Sequence, residues 1–339
     1  MRAGRDLAIV NLLPTEFGDS EVMLLSHRWR ITAPCTRRLL HVANSIEEMR
    51  KYRKNVARNA TIGFVPTMGA LHLGHASLAQ IARGKNDIVV ASIFVNPTQF
   101  SKGEDLDKYP KTLDSDLKML DDSGVDCVFV PTRNMMYPPG HNSLCHVEPV
   151  QFSSILEGKA RPDFFRGVAT VVTKLFNIVQ PNIAYFGQKD ISQCILLQRM
   201  VTDLNIPVDI QVCGTIRAED GLALSSRNTY LDKVNERPVA NILYRALMAA
   251  HDLCMKDVNR KVTREELINT ALAILKTEKL VTNVEYVSVA SHLDMTELDS
   301  VSGASGCVLS SAIRLGSVRL IDNILVGKAN DVYRLHRHT

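Results

Sequence analysis

The chain has 339 residues, 45% of them apolar and 22% charged, proportions that match an ordinary globular protein long enough for one larger and one smaller domain, each with its own core. A formal net charge of +4 with no long Lys/Arg run argues against a nucleic-acid partner, which needs a concentrated basic face. No apolar stretch approaches the roughly 18–20 residues that would cross a bilayer, which argues against a membrane partner.

Residues 1–21 contain Asp6, Glu16, Asp19 and Glu21, but from Met23 the text turns basic, with Arg28, Arg30, Arg37 and Arg38 and no acid before Glu47. Arg-rich, acid-poor leaders of this kind resemble mitochondrial presequences, but a basic extension or an overlong gene model is the plainer reading. Residues 1–40 are therefore set aside as an N-terminal extension outside the fold. The seven cysteines are odd in number and have no C-x-x-C spacing, so a disulfide framework or zinc site is not indicated. That usage suits a reducing compartment, the cytoplasm first, with the mitochondrion as the alternative from the leader.

Ser45 stands three positions before Glu48, a capping-box spacing that predicts a helix over SIEEMRKYRKNVAR. TIGFVPT is a strand-like run ended by Pro66, LHLGHASLAQIARG a helix closing at Gly84, and DIVVASIFV a buried parallel strand. Helix TLDSDLKMLDDSG, strand VDCVFVP, helix GVATVVTKLFNIVQP, strand IAYFG, helix ISQCILLQRMVTDLN and strand VDIQVCG continue the alternation. It predicts an α/β fold, a doubly wound Rossmann-like parallel sheet over residues 41–215. After residue 216 two helical stretches precede the strand-like runs VEYVSVAS, CVLSSAIRL and VRLIDNILV, which predicts a smaller α+β C-terminal domain over 216–339, placed to close as a lid. The tail past Gly327 reads as short and polar.

Four segments carry polar chemistry at strand ends. In PTMGALHLGH, Gly69 and Gly74 let the backbone approach a ligand, and a helix start offers unpaired N–H groups to phosphates. His72 and His75, three apart, share a helical face and can donate to phosphate oxygens. Taken alone, H-x-x-H reads more simply as a helix cap with two satisfied histidines, and a zinc site lacks a third ligand. In FVNPTQF, Asn96 and Gln99 can bind hydroxyl and carboxylate groups of a small polar substrate, or form an ordinary Asn-Pro turn. In FGQKDISQ, Lys189 can meet a phosphate, Asp190 can cap the next helix and Gln193 follows one turn later; a solvated turn is the plainer reading. In RAEDGLALSSRN, Ser225, Ser226 and Arg227 offer donors to phosphate, or simply decorate a hydrophilic interdomain loop. Asp114 and Asp116 are open between outer magnesium ligands and a solvated helix face.

Taken together and in this order, PTMGALHLGH, FVNPTQF, FGQKD with Gln193, and DGLALSSRN resemble the pantothenate synthetase (pantoate–β-alanine ligase) family of the H-x-G-H nucleotidyltransferase superfamily. The stretches GEDLDKYPKTLDSDL, RPDFFRGVATVVTKLFNIVQP and VRLIDNI agree, so the resemblance spans about residues 43–326. It implies an enzyme that joins pantoate to β-alanine with Mg-ATP, through a pantoyl adenylate, releasing pyrophosphate and AMP. It also implies a Rossmann-like domain with a smaller C-terminal domain, as a homodimer in the cytoplasm.

By motif, Met68, Gly69, Ala70, Leu71, His72, Leu73, Gly74 and His75 would hold ATP phosphates, with His75 as proton donor. Gly187, Gln188, Lys189, Asp190, Ile216, Leu224, Ser225, Ser226 and Arg227 would complete the nucleotide site. Gln99 and Gln193, with Asn96, would bind pantoate, and Gln99 also β-alanine; the resemblance implies no particular protein ligand for the metal. Adenylation turns the poor leaving group of a carboxylate into AMP and calls for charge stabilisation rather than a protein nucleophile. Histidine, lysine and metal would supply it, with His72, His75 and Lys189 as the catalytic set. The chain departs from the family pattern at Gln188 (often Glu), which removes a charge beside Lys189, at Ser192 (often Gln) and at Lys111 (often Arg). Two rivals use similar motifs: a cytidylyl- or adenylyltransferase, and a nucleotide-binding regulator without turnover.

Overall fold

The computed structural model describes residues 39–100, 105–139 and 145–334. The expected extension over residues 1–40 falls, but for its last two residues, outside the described ones. Among the described residues no helix is long and apolar enough to cross a membrane.

The chain enters the fold at β1 (His41–Ala43), and Ser45 then starts α1 (Ile46–Asn55) by accepting the Glu48 N–H at 3.1 Å. β2 (Ile62–Thr67), α2 (Leu73–Lys85), β3 (Ile88–Ile93), α3 (Leu113–Asp122), β4 (Cys127–Phe129) and the short helices α4 (Arg133–Met136) and α5 (Leu156–Ala160) follow. The first layer ends with α6 (Phe164–Val179), β5 (Ile183–Gly187), α7 (Ile191–Asp203) and β6 (Asp209–Cys213). The six strands form one parallel sheet in the order β1-β4-β3-β2-β5-β6. Side chains alternate between its faces, as strand geometry requires. Ile62 and Phe64 of β2 and Ile88 and Val90 of β3 share a core with α1, α6 and α7, while Val65, Val89 and Ala91 pack with α2 and α3. Each buried Val, Ile or Phe among them contributes roughly 1.5–3 kcal/mol, which is why the near-continuous apolar runs DIVVASIFV and IAYFG become strands covered on both faces.

The strand order positions the site. The chain leaves β2 toward β3 and β4 on one side, then returns to β5 on the other side of β2 and goes on to β6. The carboxyl ends of β2 and β5 thus flank the point where the winding reverses, the usual crevice for a ligand in an open α/β sheet. Pro66, expected to end its strand, lies inside β2 and pairs with Ser92 of β3, whereas β5 pairs with β2 only at Gly63 and Phe64. By Pro66, β5 has ceased to pair with β2, so the missing N–H breaks no ladder there and the gap opens the cleft.

The second part of the chain contains α8 (Ile242–Met255), β7 (Val262–Thr263), α9 (Arg264–Leu275), β8 (Val281–Ala290), β9 (Ser300–Val301), β10 (Cys307–Leu315) and β11 (Val318–Val326). Strands β11-β10-β8 make an antiparallel sheet, and β7 pairs with β9. One face of that sheet, with Leu309 and Leu320, packs on α8 and α9. From the other side Val308, Leu325, Ala329 and Val332 join the core of the parallel sheet. The tail past Gly327 is thus not simply polar: Ala329 and Val332 are buried, and Tyr333 reaches Gln188.

Candidate active site

The loop after β2 turns through two left-handed residues, Gly69 at φ 82° and Ala70 at φ 51°. What holds it is Asp116 of α3. Its carboxylate accepts the Ala70 and Leu71 N–H groups, both at 2.9 Å, and the Thr112 hydroxyl at 3.1 Å. At 2% exposure Asp116 is neither on a solvated helix face nor open to an outer metal shell, so both sequence readings of it are corrected, whereas Asp114 does lie on the surface. The motif glycine is constrained by the same residue, since a Cβ at Gly69 would sit 3.1 Å from Asp116 Oδ2.

His72 is the N-cap of α2 rather than a residue inside it, and the helix runs one residue past Gly84. The His72 ring accepts the Gly74 N–H on Nδ1 at 3.1 Å, and the His75 ring accepts the His72 N–H on Nδ1 at 3.3 Å. A backbone amide can only donate, so both Nδ1 atoms must be unprotonated and the single ring proton of each histidine sits on Nε2. Burial, and then the Lys189 charge, bring His72 down to about 4 against the opposing pull of Asp190; burial, His72 and Lys189 bring His75 down to about 3. Both rings, 4.2 Å apart, are therefore neutral donors at neutral pH. The helix-cap reading of H-x-x-H is met through Nδ1 of both rings, which leaves Nε2 of each as its donor, and burial disfavours the charged form of both.

Beyond β3, Asn96 is 1% exposed and its amide is fully engaged. It donates to Gln99 Oε1 at 3.0 Å and to the Gly167 carbonyl at 3.2 Å, and accepts from the Tyr137 and Thr98 hydroxyls at 3.0 and 2.9 Å. Asn96 does not line the cleft, contrary to expectation; it holds Gln99, which does. Gln99 Nε2 also lies 3.1 Å from Met68 Sδ, joining the loops after β2 and β3. α6 presses on the same turn: a Cβ at Gly167 would fall 2.3 Å from the Thr98 carbonyl. Arg161, which the sequence reading missed, stacks on Phe164 with its guanidinium 4.0 Å from the ring centre and donates to the Gln99 carbonyl at 3.1 Å.

After β5, Lys189, Asp190 and Gln193 line the cleft with Gly187, whereas Gln188 is buried and turned away. Gln188 donates to Asn323 Oδ1 at 2.9 Å and meets the Tyr333 hydroxyl with its other atom. The departure from Glu therefore removes a charge from the seam between the two sheets, not from the cleft beside Lys189. Asp190 occupies the N-cap of α7 without a side-chain capping bond, so the expected cap is absent. Ser192 is buried on the same helix, outside the main cleft.

The fourth segment reaches across. Ser226 donates to the Ala70 carbonyl at 2.8 Å, docking its loop on the H-x-G-H loop, and Ile216, Leu224, Ser225 and Arg227 line the cleft with it. Arg217, in contrast, is consumed structurally by Asp322. All four segments thus border one cleft of about 1110 Å³. Of the expected nucleotide-binding residues, Gly69, Ala70, Leu71 and Gln188 do not border it, and Leu73 points outward at 67% exposure. Asp116 and Arg161 lie in the family-like stretches GEDLDKYPKTLDSDL and RPDFFRGVATVVTKLFNIVQP, but nothing local to either residue announced a loop clamp or a partner for Gln99.

A family model described as pantoate-beta-alanine ligase matches residues 41–325. A pantothenate synthetase of Acetivibrio thermocellus is 44% identical over 290 residues, 85% of this chain and 99% of the relative. One of Chloroflexus aggregans is 48% identical over 292 residues, 85% of this chain and 100% of the relative. Among solved structures, pantothenate synthetase from Thermus thermophilus superposes with a TM-score of 0.76 at 39% identity, covering 84% of this chain and 98% of that one. Pantoate-beta-alanine ligase from Francisella tularensis, complexed with beta-gamma ATP and beta-alanine, does so with 0.69 at 36% identity, covering 85% and 98%.

Proposed function

The chain belongs to the pantoate–β-alanine ligase family, and from that premise we propose how its own residues divide the work. The enzyme condenses pantoate with β-alanine to pantothenate through a pantoyl adenylate, releasing pyrophosphate and then AMP. The ATP phosphates lie along the start of α2, where the helix dipole favours anions. Lys189 and Arg227 supply the positive charge that binds the phosphates, and His72 and His75 donate from Nε2 to the oxygens on which charge develops. His75 stands where the resemblance places a proton donor, and with Nδ1 engaged by the His72 N–H it is Nε2 that donates to the phosphates. Gly187, Asp190, Ile216, Leu224 and Ser225–Arg227 enclose the nucleotide.

Gln99 and Gln193 hold pantoate with its carboxylate toward the α-phosphorus; the new C–O–P link forms as pyrophosphate leaves. The amine of β-alanine then attacks the acyl carbonyl, and AMP departs. Asn96 serves through Gln99. Residues 41–215 are the substrate platform and 216–339 the lid, its Ser226 already docked on the Ala70 carbonyl.

Magnesium, when bound on the triphosphate, would offset part of its charge. Among the described residues no three His, Cys, Asp or Glu side chains converge on one point, and Asp190 on the cleft wall is the proposed protein contact. The working form is a homodimer in the cytoplasm, to be checked by light scattering and by fractionation of the native cell.

The observation that carries this reading is the convergence of His72, His75, Lys189, Gln99, Gln193 and Arg227 on a single cleft. The test is an omission assay on the purified protein. AMP should form in step with pantothenate only when pantoate, ATP and β-alanine are all present, and pyrophosphate should appear in a single turnover without β-alanine. Nucleotide transfer to a phosphate ester, or ATP binding with no pyrophosphate at saturating pantoate, would favour one of the two rivals and end this reading.

A further inference from the structure

The VRLIDNI stretch matches the family but has no part in the chemistry described so far. Its Asp322 and Asn323 are neighbours on β11, an edge strand whose free side faces the turn that carries Lys189. Both side chains are almost wholly buried, Asp322 at 5% and Asn323 at 1% exposure.

The Asn323 amide donates to two consecutive carbonyls, Gln188 at 2.9 Å and Lys189 at 3.0 Å. Carbonyls only accept, so the NH₂ must face them and Oδ1 must face the other way, toward Gln188 Nε2 at 2.9 Å. In this chain the donor that Oδ1 meets is the Gln188 amide. Asp322 meanwhile takes both arms of Arg217, at 2.6 and 2.9 Å. Arg217 also donates to the Gly221 carbonyl at 3.0 Å and to the Asn323 carbonyl at 3.3 Å, and bridges Ala223, closing the base of the loop that leads to Ser225–Arg227.

We propose that Asp322 and Asn323 are positioning residues that fix the Lys189 turn and the Ser-Ser-Arg loop to one rigid strand, and so set the separation of the two cationic arms across the ATP phosphates. The physical ground is that loops drift while a paired strand does not, and misplacing a catalytic group by about 1 Å costs on the order of 10²-fold in rate. The inference rests on the reading of Lys189 and Arg227 as phosphate-binding groups.

The experiment is a pair of double-mutant cycles on the full chain, read as pyrophosphate release and the KM for ATP, with thermal unfolding of each variant. Asn323→Ala should lower kcat/KM for ATP by roughly 30- to 100-fold in the wild-type background but less than about 3-fold in Lys189→Ala, because the group it positions is already gone. Asp322→Asn, which keeps shape and loses charge, should couple in the same way to Arg227→Ala. If Asn323→Ala does not fold, Asn323→Ser, which keeps a donor in a small volume, replaces it. Equal losses in both backgrounds would mean a general structural role, and wild-type kinetics in a folded variant would mean none; either overturns the proposal. Wild-type turnover by Lys189→Ala itself would instead overturn the site reading beneath it.

Discussion

Lowering the pH from 8 to 5 should leave His75 uncharged and His72 only about 10% charged, although an ordinary histidine would be about 90% protonated by pH 5.5. With His75 brought down to about 3 by burial and by the neighbouring His72 and Lys189, under about 1% of it would be charged at that pH. The same difference enters stability with a definite sign. The unfolded chain takes up a proton at His75 as pH falls through about 6.5, whereas the native chain does not until about 3. The contribution is therefore complete above the unfolded value and lost progressively below it, amounting to about 2 kcal/mol by pH 5.

The direct assay is long-range proton–nitrogen NMR of protein labelled at its histidines, with His72→Asn and His75→Asn to assign the two rings. Both should show a protonated Nε2 and a bare Nδ1 at neutral pH, with His75 unmoved down to pH 5 and His72 beginning to shift only near pH 5, and the rate of adenylation should show no limb near pH 6.5 that either substitution removes. A ring titrating between 6 and 7, or an Nδ1 proton at neutral pH, would break the chain of reasoning from helix cap to neutral donor.

Three further substitutions test the supports of the site. Asp116→Ala strands the Ala70 and Leu71 amides and should cost about 2–4 kcal/mol in denaturant unfolding while raising the KM for ATP; a change within about 0.5 kcal/mol would show that another group holds the loop. Gly167→Ala gains about 1 kcal/mol of helix propensity, but its Cβ would lie 2.3 Å from the Thr98 carbonyl, so the 97–99 turn must move and the KM for pantoate should rise at least about 10-fold. A stabilised, fully active variant would show that α6 does not set this turn. Tyr137→Phe removes one of the donors to Asn96 and should cost about 1 kcal/mol of stability with a several-fold rise in the KM for pantoate. An unchanged KM would detach Asn96 from pantoate binding.

Much of this protein was legible in one dimension because the relevant physics is local. Side-chain period, capping spacing and apolar run length are written within about a dozen residues, so Ser45 announced α1 and DIVVASIFV announced a buried strand. The motif segments likewise named Gln99, Lys189, Gln193 and Arg227, all of which line the cleft. Reading failed where a side chain's partner lies far along the chain. Asp116 became a loop clamp because α3 passes beneath the β2 loop, and Gln188 became part of a seam because β11 runs past it. Asn96 turned inward because Gly167 and Tyr137 complete its hydrogen bonds. His72 belongs to both classes: its place at a helix start is local, but its neutrality comes from burial and from a lysine over a hundred residues away.

The amino-acid sequence by itself determined the alternating elements, their capping and the set of polar side chains offered at strand ends. Only the folded chain decided which strands became neighbours, and hence that β2 and β5 would flank the reversal of winding where those side chains meet. It also decided which polar groups would be consumed by the framework and which left facing the cleft. Hydrogen-bond saturation and desolvation depend on everything packed around a group, and that surrounding is assembled from segments whose distance along the chain carries no information about their distance in space.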